Sequence, residues 1–202
     1  MASRLVIATN NAGKLREIRA LLQPLEILSP ADLDLNLEVE ETGDTFIENA
    51  RLKATAFAQA SGLVALADDS GLEVDALEGA PGVLSARYGT PDLNDQGRCQ
   101  LLLHNLKEHT DLVKRTARFR CAMVATAADG RSCHSEGACD GLIASAPAGD
   151  GGFGYDPVFY LPQFQQTMAQ VDAKVKNKIS HRSQALNRII PLLLQTFAEL
   201  RS

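Results

Sequence analysis

Two adjacent carboxylates, Asp68 and Asp69, close the apolar run Leu63-Val64-Ala65-Leu66-Ala67 and are followed by Ser70-Gly71. The run reads as a short buried strand that ends at the acids in a Ser-Gly turn. Such a strand end has little positional freedom, and in open α/β sheets ligands gather beyond strand ends. Successive residues on extended backbone face opposite ways, so one of the pair, not both, would face a given site. A carboxylate held there can bind a hard cation or accept a proton. A solvated turn with an Asx-type hydrogen bond is the plainer alternative.

Four other segments carry polarity that packing does not require. Thr9-Asn10-Asn11-Ala12-Gly13-Lys14 joins an apolar strand, Leu5 to Ala8, to a helix carrying Leu15, Ile18, Leu21 and Leu22. Backbone N–H groups at that helix start, with Lys14, suit a phosphate. The loop is not a Walker A motif, because Leu15 stands where a magnesium-holding Ser or Thr would follow the lysine. Glu40 and Glu41 precede a helix that opens on a Thr45/Glu48 capping box and buries Phe46, Ala50, Ala54 and Phe57. Asn49 and Lys53 lie beside that apolar stripe, where they either snorkel or reach into a site. In Gly151-Gly152-Phe153-Gly154-Tyr155-Asp156-Pro157, glycines surround two aromatics, which suits the face of a flat ring or a packed structural loop. His181 and Arg182 open the last helix, where cations oppose its dipole, and Lys174, Lys176 and Lys178 precede them.

The elements that must position these residues alternate between strand and helix. Leu25 to Leu28 reads as a second strand, and Asp32 to Glu38 as an edge strand or irregular connection. Val83 to Tyr88 reads as strand or short helix, and Asp92 to Glu108 as helix. Ala117 to Ala125 alternates in the period of a strand, with Arg131 to Cys139 as its hairpin partner across Ala128-Asp129-Gly130. Val158 to Tyr160 is a short strand, and Pro191 predicts a kink or break in the last helix.

Length and charge bound the possibilities. A chain of 202 residues makes one domain or a compact two-lobed one. A net charge of −5 gives no general attraction to nucleic acid or an anionic membrane. No apolar run reaches the roughly 20 residues of a membrane span, and no signal-peptide pattern precedes the first strand, so a cytoplasmic location is expected. Cys99, Cys121, Cys133 and Cys139 show no zinc-like spacing and read as reduced structural thiols.

The segments taken together resemble the inosine triphosphate pyrophosphatase family, hydrolases of dITP, ITP and XTP. The motifs are ATNNAGK, EETGDTFIENARLKA, ADDSGLEVDALEGAPGVLSARY, GGFGYDPVF and SHRSQAL, in family order over nearly the whole chain. The resemblance implies one two-lobed α/β domain over 1–202, with a long mixed central sheet flanked by helices and a substrate cleft between the lobes. It implies a homodimer, a purine nucleoside triphosphate as substrate, and Mg²⁺ as cofactor. It implies hydrolysis to monophosphate and pyrophosphate. Carried over residue by residue, Asp69 is proton acceptor and metal ligand, with Glu40 as second metal ligand. Thr9, Asn10, Asn11, Ala12, Gly13 and Lys14 face the triphosphate, and Ser70 contacts the substrate. Phe153, Gly154, Tyr155, Asp156, Lys176, His181 and Arg182 serve the nucleoside.

Elementary chemistry agrees with these assignments. Lys14, Lys53, Lys176 and Arg182 offer positive charge to a polyanion in an otherwise acidic chain. Mg²⁺ takes one or two carboxylates and completes its shell with phosphate oxygens and water. Donors such as His181 and Arg182 would donate to the C6 oxygen of hypoxanthine or xanthine and leave the amino group of adenine facing donors. Two other readings remain at this stage: a phosphomonoesterase with an aspartate nucleophile, and a nucleotide-binding module without turnover.

Overall fold

Leu5-Val6-Ile7 and Val64 to Ala67 are fully buried apolar runs, and they pair in parallel. In the computed structural model, which describes residues 4–22, 25–90 and 92–201, they belong to β1 (Arg4–Ile7) and β3 (Val64–Val74). The remaining strands are β2 (Glu26–Leu28), β4 (Thr116–Thr126), β5 (Ser132–Ile143), β6 (Phe159–Leu161) and β7 (Gln166–Thr167). Together they form one seven-stranded sheet in the order β2-β1-β3-β4-β5-β6-β7. β1 is parallel to β2 and β3, whereas β5–β6 and β6–β7 are antiparallel. The sheet is therefore mixed, as expected, and helices α1 (Ala12–Leu21), α2 (Phe46–Ser61), α3 (Asp95–Asn105), α4 (Ala173–Ile179) and α5 (His181–Thr196) accompany it.

The chain divides into two compact units. One holds the described residues of 1–69, 121–137 and 181–202; the other holds those of 70–120 and 138–180. In the first unit the strand alternation sorts two cores. Leu5, Ile7, Val64 and Leu66 pack with Ile18 of α1 and with Ile189 and Leu193 of α5. Val6, Ala65 and Ala67 pack with Ala50, Ala54 and Phe57 of α2. The second unit has its own core, in which Leu72, Leu102, Ile143 and Leu161 surround Phe119 and Phe159, whose ring centroids lie 4.4 Å apart.

Several sequence expectations change. β3 does not end in a turn at Ser70-Gly71 but continues to Val74, with both acids inside the strand. Asp, Ser and Gly favour turns in isolation, yet side chains from distant helices neutralise the acids here and the extended backbone persists. α1 begins at Ala12, ahead of the first apolar residue, because Asn11 caps it by accepting from Lys14 N–H at 3.0 Å. Gly82–Arg87 is a 3-10 helix, as is Ala31–Leu33, which overlaps the start of the stretch read as edge strand or connection. Pro191 lies inside α5 without ending it. The capping box is present as read: Glu48 N–H donates to Thr45 Oγ1 at 3.3 Å, and Thr45 N–H donates to Glu48 Oε2 at 3.1 Å.

One close approach fixes α5 against the sheet. A Cβ on Gly137 of β5 would collide with the His181 carbonyl and the Ala185 amide, both backbone atoms that a rotamer change cannot move. Gly137→Ala is therefore expected to destabilise the protein by about 1–3 kcal/mol, read as a lower melting temperature. A melting temperature equal to that of the parent would show that α5 can shift without cost.

Candidate active site

β3 outruns its parallel neighbour, and that sets up the site. Ile7 at the end of β1 is registered with Leu66, so Asp68 and Asp69 stand just past the point where β1 gives way to the Thr9–Lys14 loop. Being adjacent on extended backbone, the two acids face opposite sides of the sheet. Asp68 shares the side of Leu66, toward α1 and α5; Asp69 shares the side of Ala67, toward α2.

On the first side Asp68 is almost fully buried, at 1% exposure. Its Oδ2 accepts from Arg182 Nε at 3.2 Å and Nη2 at 3.1 Å, and lies 3.1 Å from Lys14 Nζ. Arg182 is itself buried and also donates from Nη1 to Glu17 Oε2 at 2.6 Å. Burial alone would raise the Asp68 pKa, but the Lys14 ammonium and Arg182 guanidinium outweigh it and hold the carboxyl well below the usual range. The thiol of Cys121, buried beside this pair, is pushed up to about 12, by burial first and then by the Asp68 charge. Cys99, Cys121, Cys133 and Cys139 are all free thiols.

On the other side Lys53 reaches from α2 and bridges two acids. Its Nζ donates to Asp69 Oδ1 at 3.0 Å and to Glu41 Oε1 at 2.6 Å. Asp69 Oδ2 is buried and has no hydrogen-bond partner among the described residues. An anionic oxygen left in that state wants a proton or a cation. Burial accordingly raises the Asp69 pKa above the normal carboxylate value; the Lys53 and Lys14 charges pull against this, while the Glu41 charge adds to it. Lys53 keeps a raised pKa despite its burial, because Asp69 and Asp68 favour its charged form. The arrangement lowers the pKa of one carboxylate, Asp68, and raises that of its neighbour, Asp69. Pairs pushed apart in this way mark sites of acid–base or metal chemistry.

The resemblance implied Glu40 as the second metal ligand beside Asp69. In the structure Lys53 links Asp69 to Glu41, and Glu40 is exposed. Asn49, flagged with Lys53, is buried and closes on the backbone of Gly43, accepting at 2.7 Å and donating at 3.2 Å, so its work is structural. In the Thr9–Lys14 loop, Asn11 N–H donates to Thr9 Oγ1 at 3.2 Å and the Asn11 side chain caps Lys14. The first intrahelical bond runs from Leu15 to Asn11, which leaves the amides of Ala12 and Gly13 at the open helix end. Asn10, Asn11 and Ala12 are exposed, and no acid occupies the first turn of α1. His181 is buried as the first residue of α5. The partnership of Arg182 with Asp68 and Glu17 was not legible in the sequence. The one local sign was Glu17, a charge next to the fully buried Ile18.

The second unit holds the aromatic loop. Asp156 is buried; its Oδ2 accepts Phe153 N–H at 2.8 Å and Lys176 Nζ at 2.6 Å. The Lys176 ammonium also lies 4.8 Å from the centroid of the Phe153 ring. Gly152 has φ +74°, and a Cβ there would strike the Asp156 carboxylate. Tyr155 is buried and donates to the Ser85 carbonyl at 2.9 Å. Asp156 and Lys176 thus brace the loop that carries Phe153. Ser70 follows Asp69 on β3 and is half-buried.

Residues 5–192, nearly the whole chain, match the Ham1 family. The chain belongs to the Ham1 family. A curated relative from Desulforamulus reducens, named dITP/XTP pyrophosphatase, is 47% identical over 192 residues, covering 94% of this chain and 95% of its own. A relative of the same name from Geobacillus kaustophilus is 50% identical, covering 92% and 91%. The solved structure of a HAM1 protein from Coxiella burnetii superposes with a TM-score of 0.86 at 41% identity, covering 96% of this chain and 100% of that one. The resemblance drawn from the five motifs and the mixed α/β fold both hold. In this Ham1 chain the first unit carries the two carboxylates with their basic partners from α1, α2 and α5, and the second carries the braced aromatic loop.

Proposed function

We propose that this protein hydrolyses the non-standard purine nucleoside triphosphates dITP, ITP and XTP to the monophosphate and pyrophosphate, with Mg²⁺. The observation that carries the reading is Asp69: a buried carboxylate with a raised pKa, one oxygen fixed by Lys53 and the other without a hydrogen-bond partner among the described residues. Two relatives of high identity bear the name dITP/XTP pyrophosphatase.

Asp69 is the proposed proton acceptor. Its raised pKa brings it nearer to the pH at which a general base works, and its fixed Oδ1 orients it toward an attacking water. Lys53 keeps the carboxylate in place and spreads positive charge over Asp69 and Glu41. Lys14, Lys53 and the open amides at the start of α1, within Thr9 to Lys14, are proposed to neutralise the triphosphate. The donor set suits Mg²⁺: Asp69 and Glu41 offer hard carboxylate oxygens, and the ion takes one or two carboxylates and completes its shell with phosphate oxygens and water. Asp69 and Glu41 are the proposed holders, with Glu41 replacing Glu40. Bound there, the ion would neutralise phosphate charge and stabilise departing pyrophosphate. Ser70, Phe153, Gly154, Tyr155, Asp156, Lys176, His181 and Arg182 are the residues proposed to serve the rest of the substrate, with Phe153 offering a ring face to the purine. Arg182 would do so while held by Asp68 and Glu17.

Incubation with dITP, ITP, XTP, dATP and dGTP, with and without Mg²⁺, followed by product identification, tests the proposal. Monophosphate plus pyrophosphate from the first three, only with Mg²⁺, is the expected result. Orthophosphate release would indicate a phosphomonoesterase, and absence of turnover a binding module. A homodimer and a cytoplasmic location complete the proposal, the former to be checked by sedimentation; no helix among the described residues is long and apolar enough to cross a membrane.

A further inference from the structure

Both backbone polar groups of Gly154 are engaged by side chains of α3. Gly154 N–H donates to Asp95 Oδ2 at 2.8 Å, and the Cys99 thiol donates to the Gly154 carbonyl at 3.4 Å. Gly154 has φ +61°, a conformation that glycine adopts at little cost, and it sits between Phe153 and Tyr155. Asp95 and Cys99 are separated by one helical turn, so they lie on the same face of α3. Asp95 is steadied on its other oxygen by Arg98 Nη1 at 3.3 Å. Cys99 is buried, and its thiol is pushed up to about 11, by burial first and then by the Asp95 charge, so it stays a neutral donor. On the far side of the loop, Tyr155 is tied to Ser85, whose Oγ accepts Leu72 N–H at 2.8 Å and donates to the Gly82 carbonyl at 2.7 Å.

We infer that Asp95 and Cys99 are positioning residues that clamp Gly154 and thereby fix the ring of Phe153 for the purine. Neither residue belongs to the glycine-rich loop or to any polar segment that the sequence singled out. The inference rests on the proposed function in one respect, that Phe153 meets the base. Lys176, on the ring, and Asp156, on the Phe153 amide, set the tilt of the aromatic from one side; the Gly154 clamp sets it from the next residue. A loop held at both positions has its ring in place before substrate arrives, which lowers the ordering cost of binding.

Asp95 is the variant of choice because it is exposed, so its loss does not threaten the core. Asp95→Ala should raise KM for ITP roughly tenfold with kcat little changed, since misplacement of a binding group by a fraction of an ångström is felt in this range. Inhibition by inorganic tripolyphosphate, which has no base, should not change. Amide exchange at Gly154 should accelerate, and Asp95→Asn, which keeps an acceptor oxygen, should restore the parent values. An unchanged KM alongside faster Gly154 exchange would overturn the inference, as would equal weakening of ITP and tripolyphosphate. If the parent protein fails to turn ITP over, the proposed function fails on that control alone. The clamp is then read by calorimetry with a non-hydrolysable inosine triphosphate, where equal affinities of parent and Asp95→Ala would overturn it.

Discussion

Asp69→Asn should leave the protein folded and cut kcat for dITP by about 10²–10⁴-fold, the usual contribution of a positioned general base. Asparagine has the shape of aspartate and can still accept from Lys53 through its carbonyl oxygen, but it takes up no proton and holds a cation weakly. Stability should move the other way. Burial raises the folded-state pKa of Asp69 above its ordinary value, so the fold favours the protonated acid. For a raised acid, stability is fully present below the unfolded pKa of about 3.9 and is lost as pH climbs through the folded value. A neutral asparagine escapes that loss, and Lys53 still has Glu41. At pH 7 the variant should therefore melt at or above the parent temperature. A parent-level kcat would remove Asp69 from the chemistry; a collapse in melting temperature would show that its role is structural. Without metal, the parent's melting temperature should fall as pH rises through the raised Asp69 pKa, and that fall should be absent in Asp69→Asn.

The raised pKa of Asp69 depends on the acids lying inside a strand. A turn would let Asp69 swing into water and recover its ordinary pKa. Residue 69 of β3 cannot do so, because Leu66 and Ala67 on one side and Leu72 and Val74 on the other have no exposure. The strand fixes the backbone, and Lys53 fixes one carboxylate oxygen.

The sequence made some of this readable and hid the rest for identifiable reasons. The capping box, the β4–β5 hairpin and the strand–loop–helix of Leu5 to Leu21 are local patterns, written within a few residues, and all are present. The continuation of β3 through Asp-Asp-Ser-Gly was not readable, because what sustains it comes from Lys14, Lys53 and Arg182, far away in the chain. Glu40 and Glu41 are indistinguishable as residue types. Only the reach of Lys53 from α2 separates them, and that depends on how the irregular segment before α2 is folded. The glycines of 149–154 suggested room for a ligand. Several of them serve tight packing instead: side chains at Gly149 and Gly151 would meet Ala169, and one at Gly152 would meet Asp156.

Asp68 carries the largest expected stability effect. Its Oδ2 is shared by Arg182 and Lys14, and both it and Arg182 are buried. Asp68→Ala would take from the buried Arg182 the two hydrogen bonds that Asp68 Oδ2 accepts, while its bond to Glu17 stays. Removing one partner of a buried ion pair costs about 3–5 kcal/mol, which for a chain of this size lowers the melting temperature by roughly 6–20 °C. The sign with pH is opposite to that of Asp69. The Asp68 pKa is depressed, so its contribution is present above the unfolded value of about 3.9 and is lost as pH falls toward the folded one. The parent should therefore lose stability in acid over that window, and Asp68→Ala should follow a flatter curve. A variant melting within about 2 °C of the parent at pH 7 would mean that Arg182 is satisfied without Asp68. Asp68→Leu combined with Arg182→Met provides the control. Because the cost lies in keeping the guanidinium buried after its Asp68 bonds are lost, the double variant should be more stable than Asp68→Ala alone.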